Sequence, residues 1–454
     1  MNIAIIGTGV SGLFAAMRLG RDGHAVEIFE PRRRIGGNMD TLRFRLGGVE
    51  RFADLGVNDF NASTYTMLVK WLDELHVPYA PLIDECSFFS MDGELAFTTD
   101  GRCGTQMTPR MAADFQRFQT EAPLDAKNMT YAGMTIEEYV KARNYSDEFA
   151  RNNLYPRINA MYYCHDTGAQ TMPFQAVMIY YALQEGFGGK PPQRMYFSEG
   201  TASWTEALRR ACSDAGVTFH QHELPTVHAD AHGCRLRTSG YERNFDAVVY
   251  ALHPTDILKS LRHGLTARDS ELLASFRYFN SVAYVHQDST VLPRNVNAWR
   301  SFNVAIQRGA DGLTPYSMTY VENLHQNDPE NPRFNRFDTP HFFTTLNPLR
   351  PLRADLVLRT NQGQMAMARF PHNTLDLHTF DRQKQVHDEL QGRHGLYFVG
   401  GWTKGAGLQE ECLRSVDFVV HKIADAGHQD MHLWNHGRDE HNVPDYFLQA
   451  LQQD

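Results

Sequence analysis

The 454-residue sequence predicts an α/β fold in which a domain of parallel strands is interleaved with a second, α+β domain. Three observations predict it. The chain opens on a short apolar run, Asn2 to Ile6, that meets three spaced glycines and then turns helical in pattern. A second apolar run, Ala25 to Phe29, follows and ends on an acidic residue, Glu30. Two later stretches, 196–262 and 386–427, return to the same succession of short apolar strands and amphipathic helices.

Asn2 to Ile6 has the unbroken apolar character of a strand covered on both faces. Gly7-Thr8-Gly9-Val10-Ser11-Gly12 follows it directly, and Leu13 to Gly20 carries the helix. In this strand–turn–helix setting the motif reads as a Rossmann-type dinucleotide loop. Gly7 permits the tight turn, Gly9 lets a pyrophosphate approach the backbone, and Gly12 lets helix pack on strand. The helix N-terminus beside Ser11 offers N–H groups and a partial positive charge to phosphate oxygens. Glu30 lies 18 residues past Gly12, where a carboxylate accepts hydrogen bonds from a ribose and repels the extra phosphate of NADP.

Gly200 precedes an amphipathic helix from Ser203 to Ala215, followed by strands at Val217 to His220 and Leu224 to His228. A hairpin through Asp230 to Arg243 and a buried strand, Ala247 to Leu252, complete that stretch. Near the end, Leu396 to Val399 is a buried strand that exits through Gly400-Gly401. Gly407 introduces a helix whose apolar face is Leu413, Val416, Val419, Val420 and Ile423. Residues 1–70, 196–262 and 386–427 are therefore assigned to the nucleotide domain, and 71–195 and 263–385 to the substrate domain. Residues 428–454 form a C-terminal tail. The first insertion reads as largely helical, with capping-box spacing at Thr135-Ile136-Glu137-Glu138. Its aromatic and Met-rich content suits either a core or the lining for an apolar ligand.

A formal charge of −9 argues against a nucleic-acid surface, which needs clustered Lys and Arg. Six cysteines, at 86, 103, 164, 212, 234 and 412, include no C-x-x-C pair, which suits reduced thiols better than a disulfide frame or a zinc site. His428, His432 and His436 recur at i,i+4 spacing in a polar segment without cysteine, so no metal site is assigned. Neither a signal peptide nor an apolar run of spanning length is read. The expectation is a cytoplasmic protein, with peripheral membrane contact and oligomeric state left open.

Glu30 is followed by Pro31-Arg32-Arg33-Arg34-Ile35-Gly36-Gly37-Asn38. This resembles the E-x-x-x-R-x-G-G segment of the flavin-containing amine oxidase superfamily. The resemblance implies a non-covalently held FAD, with Pro31, Arg34, Gly36, Gly37 and Asn38 at its pyrophosphate and ribityl. It implies further contacts from Gly56 and Val57, from Val227 at the adenine, and from Gly401, Gly407 and Leu408 beside the flavin. The closing helix would point its N-terminus at the flavin N1/C2 edge. Gly401 stands where many flavoproteins place an Asp or Glu, so that ribityl contact is missing here.

ADLGVNDFNASTY (53–65), FRYFNSVAYVHQDSTVLPRNVNAWRSFN (276–303), FFTTLNP (342–348) and GLQEECLRS (407–415) carry a further resemblance. It is to bacterial predicted NAD/FAD-binding proteins of that superfamily, often encoded beside cyclopropane-fatty-acid synthases. No second G-x-G-x-x-G follows a strand, and the loop Gly186 to Lys190 lacks the spacing, so no NADPH domain is expected. The resemblance thus implies an oxidoreductase taking hydride from a substrate C–H bond onto flavin N5, such as a desaturase or dehydrogenase of an acyl or other apolar substrate. A redox-neutral isomerase, an amine oxidase and a flavin-binding accessory subunit are the alternatives.

Alternation on the strand Ser281 to Gln287 puts Val282, Tyr284 and His286 on one face. His286 is the candidate base, weighed against a structural histidine. Amine oxidases usually carry a lysine on this strand, where Asn280-Ser281-Val282 stands. Trp402 follows the flavin-edge strand and is the candidate substrate-lining aromatic, weighed against simple packing. Glu410 and Glu411 are read as complementing the helix dipole. Related chains commonly have histidine at the position of Gln409.

Overall fold

The computed structural model describes residues 1–91, 96–103, 107–162, 168–185, 193–307, 315–327 and 340–425. The loop Gly186 to Lys190, the tail 428–454 and its His428, His432 and His436 lie outside the described residues.

Alternation of side chains across a strand explains how the first sheet is covered. Five parallel strands run in the order Thr218–Gln221, Ala25–Glu30, Asn2–Ile6, Ala247–Tyr250, Leu396–Phe398. Ile3 and Ile5 join the core cluster under the helices, while Ala4 and Ile6 join the opposite one. On the first face, helix Val10–Arg21 packs between Ala202–Asp214 and Gln409–Asp425. On the other lies a four-stranded sheet comprising Thr226–Asp230, Gly233–Arg237, Glu242–Phe245 and Leu261–His263. The predicted apolar face of the last helix is seated as expected, with Leu413, Val416, Val419, Val420 and Ile423 at most 3% exposed. Burying each such side chain contributes roughly 1.5–3 kcal/mol.

The first helix starts at Val10 rather than at Leu13. Gly9, in extended conformation, is its N-cap, and the Gly9 carbonyl accepts the Leu13 N–H at 3.0 Å. The glycine loop and the first helical turn are therefore one structure, and the turn's N–H groups start at the loop.

The second region is built on a seven-stranded sheet. Its order is Met367–Asn373, Tyr278–His286, Phe343–Leu346, Tyr316–Val321, Phe302–Ile306, Cys86–Ser90, Ala96–Thr98. The first insertion contributes its last two strands as well as helices, so it is less helical than the pattern suggested. The capping box at Thr135 is present: its hydroxyl accepts the Glu138 N–H at 3.3 Å, and the Glu138 carboxylate accepts the Thr135 N–H at 2.8 Å. No helix among the described residues is long and apolar enough to cross a membrane.

Candidate functional site

A cavity of about 2140 Å³, solvent at its mouth included, begins at the glycine loop and runs beneath the last helix into the seven-stranded sheet. The three loop glycines meet it differently. Gly7 has φ +106°, and a Cβ there would lie 2.5 Å from the Ala251 carbonyl oxygen. A Cβ on Gly12 would lie 1.9 Å from the Gly7 carbonyl oxygen. These two positions are closed by backbone. A Cβ on Gly9 would meet nothing within 4 Å, so that face opens onto empty space at the N-terminus of the helix.

Glu30 is 5% exposed and lines the cavity. One carboxylate oxygen accepts from the Thr8 N–H at 2.9 Å and from the Thr8 hydroxyl, and the other from the Arg32 N–H at 2.8 Å. Its local task is to lock the glycine loop onto the second strand. Ser11, Pro31, Gly36, Gly37, Asn38, Gly56 and Val57 also line the cavity. A Cβ on Gly56 would sit 2.2 Å from the Asn38 carbonyl oxygen, so glycine is what lets these two segments touch. At the far wall are Gly401, Gly407 and Leu408.

Two expected contacts are placed elsewhere. Arg34 is absent from the lining; its guanidinium donates to the carbonyls of Met39 at 2.7 Å and Gly37 at 2.6 Å, folding the loop around itself. Val227 is wholly buried in the core between the two sheets and does not reach the cavity. Alternation turns that side chain inward, toward Ala4 and Ile6, when the strand packs.

His286 is a correction of the same kind. It lies outside the cavity lining and is 0% exposed. Its Nδ1 accepts the Asp288 N–H at 3.0 Å, which leaves Nε2 to donate to the Thr345 hydroxyl at 2.7 Å. Burial lowers its pKa to about 4. With both nitrogens engaged in the sheet, it is a neutral structural histidine. Of its strand, Tyr278 lines the cavity. Trp402 reaches the cavity wall, but its indole N–H donates to the Leu252 carbonyl at 3.0 Å and its ring packs edge-on against Phe276.

Glu410 does more than complement its own helix. Fully buried, it accepts the N–H groups of Met67 at 3.0 Å and Leu68 at 2.9 Å, and pairs with Arg414 at 2.8 Å. It therefore caps the neighbouring helix Thr66–Glu74. Glu411 accepts the Leu408 N–H at 2.9 Å.

The cavity has two poles that the sequence did not announce. Near the glycine loop, His253 stacks on Tyr278 at 4.5 Å, and burial lowers the pKa of His253 and of His372 to about 4. At the other end, Tyr65, Phe88, Tyr162, Tyr180, Phe302 and Tyr320 line the cavity together with Arg194. That guanidinium pairs with Asp59 and Asp84, each at 3.3 Å, donates to the Tyr180 hydroxyl at 3.0 Å, and lies over the Phe302 ring. Behind it, His325 sits 3.7 Å from both Asp59 and Glu322. Burial opposes charge on this imidazole, but the two carboxylates prevail and raise its pKa to about 9. Asp54, farther inside, is raised to about 7 by burial. These residues come from segments far apart in the chain; of them, Asp54, Asp59, Tyr65, Tyr278 and Phe302 fall in stretches singled out beforehand.

The class this architecture defines is that of Rossmann-like α/β proteins, and residues 5–75 match the family described as NAD(P)-binding Rossmann-like domain. The fold is similar to that of solved amine oxidases and of a fatty acid isomerase. A putrescine oxidase structure superposes with TM-score 0.64 at 15% identity, covering 93% of this chain and 99% of that one. The CLA-producing fatty acid isomerase from P. acnes gives TM-score 0.62 at 15% identity, over 92% and 98%. In sequence, 43 residues are 51% identical to the 4,4'-diapophytoene desaturase of Staphylococcus aureus, over 10% of this chain and 9% of that protein. The chain matches such curated relatives over only about a tenth of their own length.

Proposed function

We propose that the cavity holds FAD non-covalently, and that the protein is an FAD-dependent oxidoreductase that removes hydride from a C–H bond of an apolar or amphiphilic substrate. One observation carries the reading: the open face of Gly9, Glu30, the start of the last helix and a wall of Phe and Tyr rings share a single cavity. The residues fit the cofactor. The first turn of Val10–Arg21 would hold the pyrophosphate, Glu30 the ribose, and the wall of Gly401, Gly407 and Leu408 the ring system. A flavin bound there supplies the hydride acceptor.

The chain's own residues do the rest. Helix Gln409–Asp425 turns its N-terminus toward the cavity and favours negative charge at that wall. The aromatic side chains exclude water from the reacting region and orient an apolar body. Arg194, held by its two carboxylates, is a fixed polar landmark for the hydrophilic end of an amphiphile. Desaturation of an acyl chain is the version we favour, supported by the resemblance read in the sequence and by the match to a desaturase.

The test is to purify the protein, record its visible spectrum, and mix it anaerobically with acyl lipids and with amines. A flavin spectrum bleached by an acyl lipid is the expected result. Bleaching by amines alone, with peroxide formed in air, replaces the substrate class; product formed at constant colour replaces oxidation by isomerisation. Colour that no small molecule bleaches, with activity only beside a partner enzyme, assigns an accessory role. A colourless protein that takes up no flavin overturns the proposal.

A further inference from the structure

The segment leaving strand Ala247–Tyr250 lies against the glycine loop. A Cβ on Gly7 would sit 2.5 Å from the Ala251 carbonyl oxygen and 2.9 Å from the Leu252 side chain. His253 is the next residue, and it lines the same cavity as Gly7, Gly9 and Ser11. Its ring stacks on Tyr278, with centroids 4.5 Å and planes 14° apart. Such a stack covers a ring face and leaves the two nitrogens at the rim. Neither nitrogen has a hydrogen-bond partner among the described residues, and neither is sealed from water. His286 is the contrast, with both nitrogens spent inside the sheet.

The titratable and charged groups around this ring do not charge it. Asp256, on the helix that His253 caps, favours the protonated form but is itself paired with Lys259 at 2.7 Å, and Arg32 opposes it. Tyr278 and, on the edge strand Met367–Asn373, His372 are held neutral by burial. Desolvation therefore prevails at His253 and lowers its pKa to about 4. A diphosphate supplies the charge that these neighbours lack. The open face of Gly9 and the free N–H groups of the first turn of Val10–Arg21 draw an anion to this end of the cavity. An anion within about 4–6 Å favours the protonated imidazole, and a charged N–H donor makes the stronger bond to phosphate. Resting on the reading that the cavity holds FAD, we propose that His253 takes up a proton when the diphosphate binds and donates to it, so that affinity for the cofactor rises as pH falls. The complex then holds more protons than the free protein, and acid favours it by linkage. The diphosphate of FAD is a diester, fully ionised across the neutral range, so the proton must come to the protein.

The experiment titrates FAD into the full-length protein stripped of flavin, between pH 8 and pH 5.5, and follows the quenching of flavin fluorescence. Calorimetry in two buffers of different ionisation enthalpy counts the protons taken up. We expect Kd to fall about tenfold across the range, with uptake approaching about one proton per FAD at the acid end. His253→Asn should bind FAD like wild type at pH 8, gain nothing at pH 5.5 and take up no proton. His253→Gln is the second replacement should Asn fail to fold. Wild-type binding that ignores pH and takes up no proton overturns the assignment and leaves the FAD reading intact. A pH dependence that survives in the His253 variants overturns it too, and its loss in His372→Asn would move the proton to that neighbour. A protein that takes up no flavin at any pH sinks both claims.

Discussion

Gly9→Ala separates the two tasks of the glycine loop. Gly9 has φ −61° and ψ 173°, a conformation any L-residue adopts, and the added Cβ meets no protein atom within 4 Å. The apoprotein should therefore fold at least as well as wild type, gaining about 0.4–1 kcal/mol because alanine restricts the unfolded chain. The methyl group would instead occupy the space through which a phosphate reaches the helix N–H groups. Losing one charge-assisted hydrogen bond costs about 1.5–3 kcal/mol, so FAD should bind roughly ten- to a hundredfold more weakly or worse. Gly12→Ala is the contrast: its Cβ would lie 1.9 Å from the Gly7 carbonyl oxygen, so the loop must shift, at about 1–3 kcal/mol or more in stability. The assays are urea unfolding of the apoproteins and titration with FAD followed by quenching of flavin fluorescence. If Gly9→Ala unfolds as early as Gly12→Ala, or binds FAD like wild type, the assignment of an open, ligand-facing Gly9 is wrong.

Glu410→Ala should lower stability by about 3 kcal/mol, since it strips a helix cap and the partner of Arg414 together; a urea midpoint equal to wild type would refute the cross-helix cap. His286→Ala should cost about 1–3 kcal/mol in stability through its two lost hydrogen bonds. Turnover per folded molecule and its pH profile should stay unchanged, as expected for a group outside the cavity. For His325, whose folded pKa is raised to about 9, the stabilisation is complete below the unfolded value near 6.5 and is lost as pH climbs through 9. For His253, His286 and His372, lowered to about 4, the sign reverses: stability is lost as pH falls from about 6.5 toward 4. Unfolding midpoints across pH 4 to 9.5 test both limbs, and His325→Gln should flatten the alkaline one alone.

Local pattern made much of the parallel α/β architecture legible. Strands buried on both faces must be apolar throughout, so NIAII and AVVY declared themselves. The turn between strand and helix admits only glycine at Gly7 and Gly12, because backbone oxygens fill the space a Cβ would take. Pattern could not say which way a side chain points once sheets stack. Val227 and His286 sit on the expected strands, yet packing turns one into the core and ties the other to Thr345. Arg34 has the sequence position of a phosphate contact but is held by the carbonyls of its own loop.

By itself the sequence determined that a glycine loop, an acidic strand end and an amphipathic closing helix belong to one parallel α/β domain, since each is a local consequence of backbone sterics and side-chain periodicity. Tertiary structure alone decided the rest of the cavity. Arg194 meets Asp59 and Asp84 across 135 and 110 residues of chain, and His325 closes behind them. Contacts between distant segments depend on how separately formed elements dock, and no spacing along the chain records that.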